Sequence, residues 1–276
     1  MFPVKLPCLG LCVLAFACQA MIAQTTIPMP SHVVVVIEEN HSYSEIMGSP
    51  QAPYINTLAS EGAVFTHSYG VSHPSEPNYL ALFSGSTHGV TTDNCPLTFS
   101  SAALESQLHA AGKTFKGYSE ELPSAGSMVC TYNEYARKHV PWTDFSTGRS
   151  TDNLPFSSFP SGSFATLPTV SFVIPDLMDD MHNGSIQQGD AWLQQHLLNY
   201  VTWARNNNSL LILTFDEDDS SSGNHVLTLF VGPMVKPGMY TQSINHYNVL
   251  RTIEQMYKLP YLGKAATATP ITNIWK

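Results

Sequence analysis

Two groups of oxygen-bearing side chains have the composition of a metal site. Residues 38–41 read Glu-Glu-Asn-His and residues 216–219 read Asp-Glu-Asp-Asp, and each group directly follows an apolar run. Carboxylate and amide oxygens are the ligands that hard divalent cations prefer. Either group alone is also typical of a solvated loop or a helix N-cap. If both groups lie at neighbouring strand ends, their oxygens can converge on one cation.

A serine in the position of a nucleophile stands ahead of an apolar segment with helical periodicity. Residues 72–79 read Ser-His-Pro-Ser-Glu-Pro-Asn-Tyr, and Ser75 is the fourth of them. The backbone N–H groups at a helix start have no partner inside the helix and can bind an anion. A serine hydroxyl is a weak nucleophile, however, and needs a base or a metal ion to activate it.

These motifs together predict attack by a metal-activated serine. The expected ligands of the cation are the Ser75 oxygen, Glu39, Asn40, Asp216 and Glu217. Asn78 is placed to donate hydrogen bonds to a phosphoryl oxygen. The alternative is structural, with Ser75 as the N-cap and Pro77 as a proline of the first helical turn. That alternative explains the serine and the proline but neither His73 nor Asn78.

The elements that must position these residues alternate between strands and helices. Apolar runs at 32–37, 169–174, 210–215 and 226–231 predict strands that are buried on both faces. Helical periodicity is found at 54–60, 79–84, 102–111, 190–204 and 246–257. This alternation predicts an α/β sandwich with a mostly parallel central sheet flanked by helices. Ligands bind beyond the carboxyl ends of such strands, where both acidic groups lie.

A single domain is expected from residue 24 to residue 276. The chain has 276 residues, of which 43% are hydrophobic, and this is enough for one full core. The stretch 95–164 has weaker periodicity and many turn residues. We therefore predict that it is an insertion or small cap over the sheet.

The first 23 residues predict a signal peptide. Lys5 precedes an apolar run from Leu6 to Ala17, and small residues follow up to Ala23. The run is shorter than the roughly 20 residues that cross a bilayer, so stable membrane insertion is not expected. A lipid anchor at Cys18 is the less favoured alternative. A secreted or periplasmic protein is therefore predicted.

Cysteine count and net charge agree with export and exclude one class of partner. Three of the five cysteines fall in the predicted signal peptide. The remaining pair, Cys95 and Cys130, is expected to form a disulfide in an oxidising compartment. The formal net charge is −9 and only 12% of residues are charged. Because no basic stripe is present to neutralise a phosphate backbone, nucleic acid is not an expected partner.

Three motifs in this order resemble those of the bacterial phosphoesterase family, which includes secreted acid phosphatases and phospholipases C. They are Glu-Glu-Asn-His at 38–41, His-Pro-Ser-Glu-Pro-Asn-Tyr at 73–79 and Asp-Glu-Asp-Asp at 216–219. The similarity also covers 246–259 and so extends over most of the chain. Within the family, the sequence is most similar to short secreted acid phosphatases of the phosphatidylinositol 3-phosphatase type.

The resemblance implies an alkaline-phosphatase-like α/β fold and hydrolysis of phosphomonoesters, phosphoinositides included, through a phosphoserine intermediate. It implies that Ser75 is the nucleophile and that Asn78 contacts the phosphoryl group. The implied metal ligands are Glu39, Asn40, Asp216, Glu217 and the Ser75 oxygen. Such oxygen ligands favour Mg²⁺, Ca²⁺ or Mn²⁺ without choosing among them. The expected partner is a small phosphate ester or a lipid headgroup, and the substrate and the oligomeric state are left open.

Several histidines are candidates for proton transfer or for support of the site. Residues 135–139, Tyr-Ala-Arg-Lys-His, resemble a family segment whose histidine faces the substrate. His139 is therefore predicted to orient the phosphate or stabilise its charge. His182 is predicted to protonate the leaving oxygen. Supporting or structural roles are expected for His73, His225 and His246.

Three alternatives remain beside this interpretation. In two-metal relatives a second site exists, and Asp176, Asp179 and Asp180 could complete one here, although Glu217 stands where those relatives have a histidine. A phospholipase C would act on phosphodiesters, but such enzymes are usually longer. A non-catalytic, metal-dependent binding protein is the third alternative. The retention of Ser75 with all the expected ligands argues against a loss of catalysis.

Overall fold

The computed structural model describes residues 1–4 and 26–276. Most of the predicted signal peptide lies outside these residues, as do Cys8, Cys12 and Cys18. In the part of the chain that is described, no helix has the length and apolar character needed to cross a bilayer. The described chain is built on one large sheet with helices on both faces.

Strands and helices alternate along the chain. The strands are β1 (His32–Glu38), β2 (Ala63–Phe65), β3 (Ser68–Tyr69), β4 (Phe115–Ser119), β5 (Thr131–Tyr132), β6 (Tyr135–Ala136), β7 (Asn153–Pro155), β8 (Val170–Ile174), β9 (Ser209–Phe215), β10 (His225–Val226), β11 (Thr228–Val231), β12 (Gly238–Tyr240) and β13 (Ile244–Asn245). The α-helices are α1 (Tyr43–Ile46), α2 (Pro53–Glu61), α3 (Glu76–Ser84), α4 (Leu104–Ala110), α5 (Ile186–Ala204) and α6 (His246–Met256).

The central sheet has eight strands in the order β12-β2-β11-β9-β1-β8-β4-β7. β1 pairs in parallel with β8 and with β9, which places Val33 opposite Val170 and Leu210. β4 continues the parallel part beyond β8, whereas β11 runs antiparallel between β9 and β2. The carboxyl ends of β1, β4, β8 and β9 therefore lie along one edge of the sheet.

Two apolar cores cover this sheet because its strands are apolar on both faces. Val33, Val35 and Ile37 face one core, which contains the apolar residues of α3 and α6. Val34 and Val36 face the other core, which contains those of α2 and α5. Such burial is what the continuous apolar runs predict. The predicted α/β class with a mostly parallel sheet is confirmed.

One strand of the sheet does not follow from hydrophobic periodicity. β4 reads Phe-Lys-Gly-Tyr-Ser, so a lysine and a glycine interrupt its apolar pattern. The glycine is required by packing, because a Cβ at Gly117 would lie 2.1 Å from the Trp142 ring. The glycine that this contact requires interrupts the apolar pattern from which a strand is usually predicted, so β4 could not be predicted from the local sequence.

The predicted cap at 95–164 needs correction at its boundaries. α4 packs against β4, and β4 and β7 are strands of the central sheet. Residues 120–152 form the connection between the end of β4 and the start of β7, outside the sheet. Because residues 95–164 contain short strands and many turns, their sequence does not show which parts belong to the central sheet.

Cys95 and Cys130 form the predicted disulfide bond. The two cysteines are 35 residues apart in sequence, and their Cα atoms are 5.8 Å apart. The bond joins the loop that follows α3 to the connection that carries β5 and β6. It therefore fixes two segments that lie outside the central sheet.

Candidate active site

Two neighbouring strand ends bring the acidic groups together. β1 and β9 pair along their whole lengths, so Glu39 and Asp216 follow them side by side. The Asn40 N–H donates to Asp216 Oδ1 over 3.3 Å. Asn40 leaves the strand in a left-handed conformation (φ 56°), which asparagine adopts more readily than most residues. The predicted convergence of the two acidic groups is thus observed.

Ser75 reaches this group from the N-terminus of α3. Its backbone is already helical, and its side chain makes no capping hydrogen bond. The hydroxyl instead donates to Glu39 Oε2 over 3.0 Å and lies 3.4 Å from Glu217 Oε1. The structural alternative, in which Ser75 serves only as an N-cap, therefore does not describe what its hydroxyl does.

The backbone amides of Glu76 and Asn78, in the first turn of α3, already have hydrogen-bond partners within the chain. The Glu76 N–H donates to Asp93 Oδ1 over 3.0 Å. Pro77 has no N–H, and the Asn78 N–H donates to the Ser75 carbonyl over 2.8 Å. The Asp93 carboxylate, from the loop after α3, occupies the position at the helix start that the helix dipole makes favourable for an anion.

Asn78 holds the loop before it and the Glu217 carboxylate. Its Oδ1 accepts from the Val71 and Ser72 amides over 2.8 and 3.1 Å. Its Nδ2 donates to Glu217 Oε2 over 3.0 Å and to the carbonyls of Ser72 and Pro74 over 3.0 and 3.2 Å. These contacts use both polar atoms of the side chain. The contacts of Asn78 in the described chain are thus to its own loop and to Glu217, and its predicted phosphoryl contact stays a prediction.

The buried oxygens of this group are suited to a divalent cation. Glu39 and Asp216 are at most 1% exposed. Asp216 Oδ2 and Asn40 Oδ1 are buried and have no hydrogen-bond partner in the described chain. A buried polar atom without a partner costs free energy, and a cation bound between such atoms removes that cost. The residues predicted as ligands thus fit a divalent ion with oxygen ligands.

Crowding of the carboxylates raises their pKa values. Burial and the nearby Asp180 carboxylate raise the pKa of Glu39 well above its usual value. Burial and Glu39 do the same for Asp216, and burial and Asp216 raise the pKa of Glu217 to about 8. Without a cation this group retains protons at neutral pH. Binding of a metal ion must displace them.

His139 lies inside the site, between two carboxylates. Its Nε2 is 3.2 Å from Glu39 Oε1, and its Nδ1 is 3.3 Å from Asp180 Oδ2. The ring stacks on Tyr79 at a centroid distance of 4.9 Å, and the Tyr79 hydroxyl donates to Glu39. Glu39, His139 and Asp180 each offer a ligand atom, and these atoms lie within 4.8 Å of one another. Burial lowers the pKa of His139 well below its usual value.

His182 lies beside a lysine that the sequence motifs alone do not single out. Lys138 Nζ is 3.3 Å from His182 Nε2 and donates to Asp93 Oδ2 over 3.0 Å. Although burial lowers the pKa of Lys138, the carboxylates of Glu39 and Asp93 raise it by more. A positive charge therefore stands at the edge of the acidic group. The signal that points to Lys138 is its place directly before His139 in the segment 135–139.

The histidines expected in supporting roles differ in their contacts. His73 lies 3.2 Å from the carboxylates of both Glu217 and Asp218. His246 is buried and donates over 2.6 Å to the backbone carbonyl of the first residue after β9. His225 instead stacks on Tyr43 at 4.8 Å. His73 and His246 thus contact the site, and His225 packs beside α1.

Comparison with known protein families identifies the family of this chain. A model of the phosphoesterase family matches residues 49–260, a range that includes Ser75, Asp216 and Glu217. The chain belongs to the phosphoesterase family. The resemblance seen in the sequence motifs is thereby confirmed.

Relatives of this phosphoesterase include named phosphatases. It is 52% identical over 259 residues to the phosphatidylinositol-3-phosphatase of Mycobacterium tuberculosis, a match that covers 93% of this chain and 87% of that relative. It is 33% identical over 233 residues to an acid phosphatase of Aspergillus fumigatus, which covers 75% of this chain and 51% of the relative. The chain thus spans about half the length of the fungal protein. The predicted enzyme class, a phosphoric monoester hydrolase, is confirmed.

Solved structures share the fold of this phosphoesterase. A protein of the alkaline phosphatase superfamily from Vibrio parahaemolyticus has a TM-score of 0.64 at 12% identity, covering 90% of this chain and 72% of that chain. The lipoteichoic acid synthase LtaP of Listeria monocytogenes has a TM-score of 0.63 at 10% identity, covering 90% and 77%. The alkaline-phosphatase-like fold is thereby confirmed.

Proposed function

We propose that this phosphoesterase is a metal-dependent phosphomonoesterase in which Ser75 forms a phosphoserine intermediate. One observation carries the proposal: the Ser75 hydroxyl donates to Glu39 Oε2 within a buried group of carboxylates. A serine that only capped α3 would accept a hydrogen bond from a helix amide. The hydroxyl of Ser75 is directed instead to the residues best suited to hold a divalent ion.

The metal site would be formed by side chains from three elements. The residues that would hold the ion are Glu39, Asn40, Asp216, Glu217 and the Ser75 oxygen. A divalent ion held there would lower the pKa of the serine hydroxyl and would stabilise charge on the phosphoryl oxygens. Asn78 and His73 position Glu217 through direct contacts, as side chains behind metal ligands commonly do.

The other steps are carried out by side chains of the chain itself. Ser75 passes its hydroxyl proton to Glu39, the acceptor of its hydrogen bond, as Oγ attacks phosphorus in line and the bond between phosphorus and the alcohol oxygen breaks. His182 donates a proton to the departing alcohol. Water then attacks the phosphoserine and gives a proton to His182, inorganic phosphate leaves, and the Ser75 oxygen takes its proton back from Glu39. Lys138 balances negative charge at the edge of the site, and His139 orients Glu39.

The expected substrates are phosphomonoesters, and phosphoinositides are the first to examine. This choice is supported by the 52% identity to a protein named phosphatidylinositol-3-phosphatase, of which the match covers 87%. The reacting group is the same in sugar phosphates and nucleotides. Selectivity among these classes would depend on residues around the site rather than on Ser75 and its metal ligands.

Export of the protein is also part of the proposal. The pattern from Lys5 to Ala23 is that of a signal peptide. The disulfide between Cys95 and Cys130 suits an oxidising compartment. Both features favour a secreted or periplasmic enzyme.

Replacement of the nucleophile tests the mechanism. Ser75→Ala is expected to lower the release of phosphate from an aryl phosphomonoester by at least about 10³-fold, because the attacking oxygen is lost. Brief mixing with a ³²P-labelled substrate and quenching in acid should trap labelled phosphoserine in the wild type and none in the variant. Chelation should abolish turnover, and Mg²⁺, Ca²⁺ or Mn²⁺ should restore it.

Ser72→Ala is the matched control. Ser72 lies in the same loop, but its hydroxyl donates to the His73 carbonyl over 3.1 Å, so turnover should be nearly unchanged. Activity that persists in Ser75→Ala, or a wild type that forms no phosphoserine, contradicts the proposal. Turnover of a phosphodiester alone would indicate the phospholipase C alternative.

A further inference from the structure

A second group of carboxylates lies on the face of the sheet away from Ser75. Successive side chains of a strand point to opposite faces, so Glu38 and Glu39 at the end of β1 are separated by the sheet. Glu38 follows Val36, which belongs to the core covered by α2 and α5. Its side chain is 0% exposed, and neither of its oxygens has a hydrogen-bond partner in the described chain. The proposed mechanism makes no use of this residue.

Three further carboxylates lie close to one another on this side of the sheet. Glu120, Asp176 and Asp179 each offer one oxygen, and these oxygens lie within 4.8 Å of one another. Glu120 follows Tyr118 of β4, which belongs to the same core as Val36. β8 lies between β1 and β4 in the sheet. Glu38 and Glu120 therefore flank the end of β8, and Asp176 and Asp179 come from the segment that leaves it.

Hydrogen bonds fix the orientation of this cluster without neutralising it. Trp192 Nε1 donates to Glu120 Oε1 over 3.0 Å, and the Asp176 N–H donates to Glu120 Oε2 over 3.2 Å. Asp176 Oδ1 accepts the Asp179 N–H over 3.0 Å, and Gln188 Nε2 donates to Asp179 Oδ1 over 2.9 Å. These donors leave other oxygen lone pairs free to bind a cation.

The ion pairs of the described chain do not include any of these four carboxylates. Negative charges held this closely repel one another unless a cation or protons lie between them.

We propose that Glu38, Glu120, Asp176 and Asp179 form a second divalent-cation site, separated from the Ser75 centre by the sheet. All its ligand atoms are oxygens, which suit Ca²⁺. The ion would fasten the segment after β8 to the ends of β1 and β4. Its role is structural, so the site stands independently of the proposed phosphatase mechanism.

Counting bound ions separates the two sites. Calorimetric titration of the full protein with Ca²⁺ should give two ions per chain for the wild type. The double variant Asp176→Asn with Asp179→Asn should bind one ion. Asn keeps the oxygen that accepts the turn amides, which preserves the local backbone. Asp216→Asn should also bind one ion, but it should lose turnover. Glu61→Gln, a surface carboxylate, is the control and should bind two.

Trp192 provides a measurement that does not depend on these variants. Tb³⁺ occupies Ca²⁺ sites and emits when a nearby tryptophan is excited, and Trp192 contacts Glu120 directly. Sensitised Tb³⁺ emission should appear in the wild type, fall at least severalfold in Trp192→Phe, and be displaced by Ca²⁺. One ion per chain in the wild type, or two in the Asp176→Asn, Asp179→Asn variant, would overturn the proposal. Emission unchanged by Trp192→Phe would do the same.

Discussion

Asn78 shows how one side chain can order the loop that carries Ser75. It binds the amides and carbonyls of residues 71–74 on one side and Glu217 on the other. The spacing of the motif identifies Asn78 as functional. It does not show that the amide faces the loop, because that depends on how the loop folds back over α3.

Asn78→Asp tests the positioning role. The substitution keeps the shape of the side chain, replaces its donors with acceptors and sets a second carboxylate against Glu217. We expect kcat to fall by roughly 10²-fold, because misplaced metal ligands are costly, while KM changes little. A direct phosphoryl contact would predict a large rise in KM instead. Asn56→Asp, which alters an asparagine bound to Ile46 and Ala52 carbonyls, is the control for a general loss of stability.

Residues at strand ends could be predicted, and residues brought in by loops could not. Glu39 and Asp216 follow two apolar strands, so the parallel sheet alone places them together. Lys138, Asp93 and Asp180 lie outside the strands and α-helices, in segments whose course depends on tertiary contacts. Asp93, for example, reaches the site only because its loop returns to the start of α3. Their side-chain chemistry makes them possible site residues, but their spacing in the sequence does not predict where they lie in the fold.

At the scale of elements, the disulfide supports the charged edge of the site. Cys95 lies two residues after Asp93, and the Cys130 carbonyl accepts the Arg137 N–H over 2.9 Å, next to Lys138. The bond thus holds both partners of the Asp93–Lys138 ion pair. The disulfide is therefore expected to stabilise the fold and also to keep the charges of this ion pair in place beside the site.

Replacement of both Cys95 and Cys130 by Ser should affect stability and turnover together. The free energy of unfolding should fall by about 3–4 kcal/mol, since the bond closes a loop of 35 residues. The kcat, measured well below the melting temperature, should fall roughly tenfold because Lys138 loses its fixed position. Reduction of the wild type should reproduce both effects. A lower melting temperature with unchanged kcat would show that the bond stabilises the fold alone.

At the scale of the whole molecule, buried carboxyl groups make stability depend on pH. Burial raises the pKa of Glu105 to about 7 and that of Glu254 to about 8. Between the usual carboxyl pKa and these values, the unfolded chain has released protons that the folded chain still holds. Because the folded state binds more protons there, the free energy of unfolding decreases as the pH rises. The metal-free protein should therefore be more stable at pH 5 than at pH 8.

Glu105→Gln isolates one part of this effect. Glu105 is 0% exposed, and neither oxygen has a hydrogen-bond partner among the described residues. Glutamine resembles the protonated acid and does not ionise. Relative to the wild type, the variant should gain about 2 kcal/mol more at pH 8 than at pH 5. Urea unfolding in the presence of a chelator measures this gain. Glu61→Gln should show no such difference, and an equal effect of Glu105→Gln at both pH values would refute the assignment.

The helix that follows Ser75 has no face toward solvent. Every residue of α3, from Glu76 to Ser84, is buried, whereas α5 exposes positions such as Gln194 and Leu198. A changed side chain in α3 therefore always contacts packed neighbours, whereas a changed side chain at an exposed position of α5 contacts solvent. Over evolutionary time, neutral substitutions should accumulate at the exposed positions of α5, whereas selection should remove most substitutions in α3. The segment after Ser75 should then keep its ancestral sequence long after the surface of the molecule has diverged.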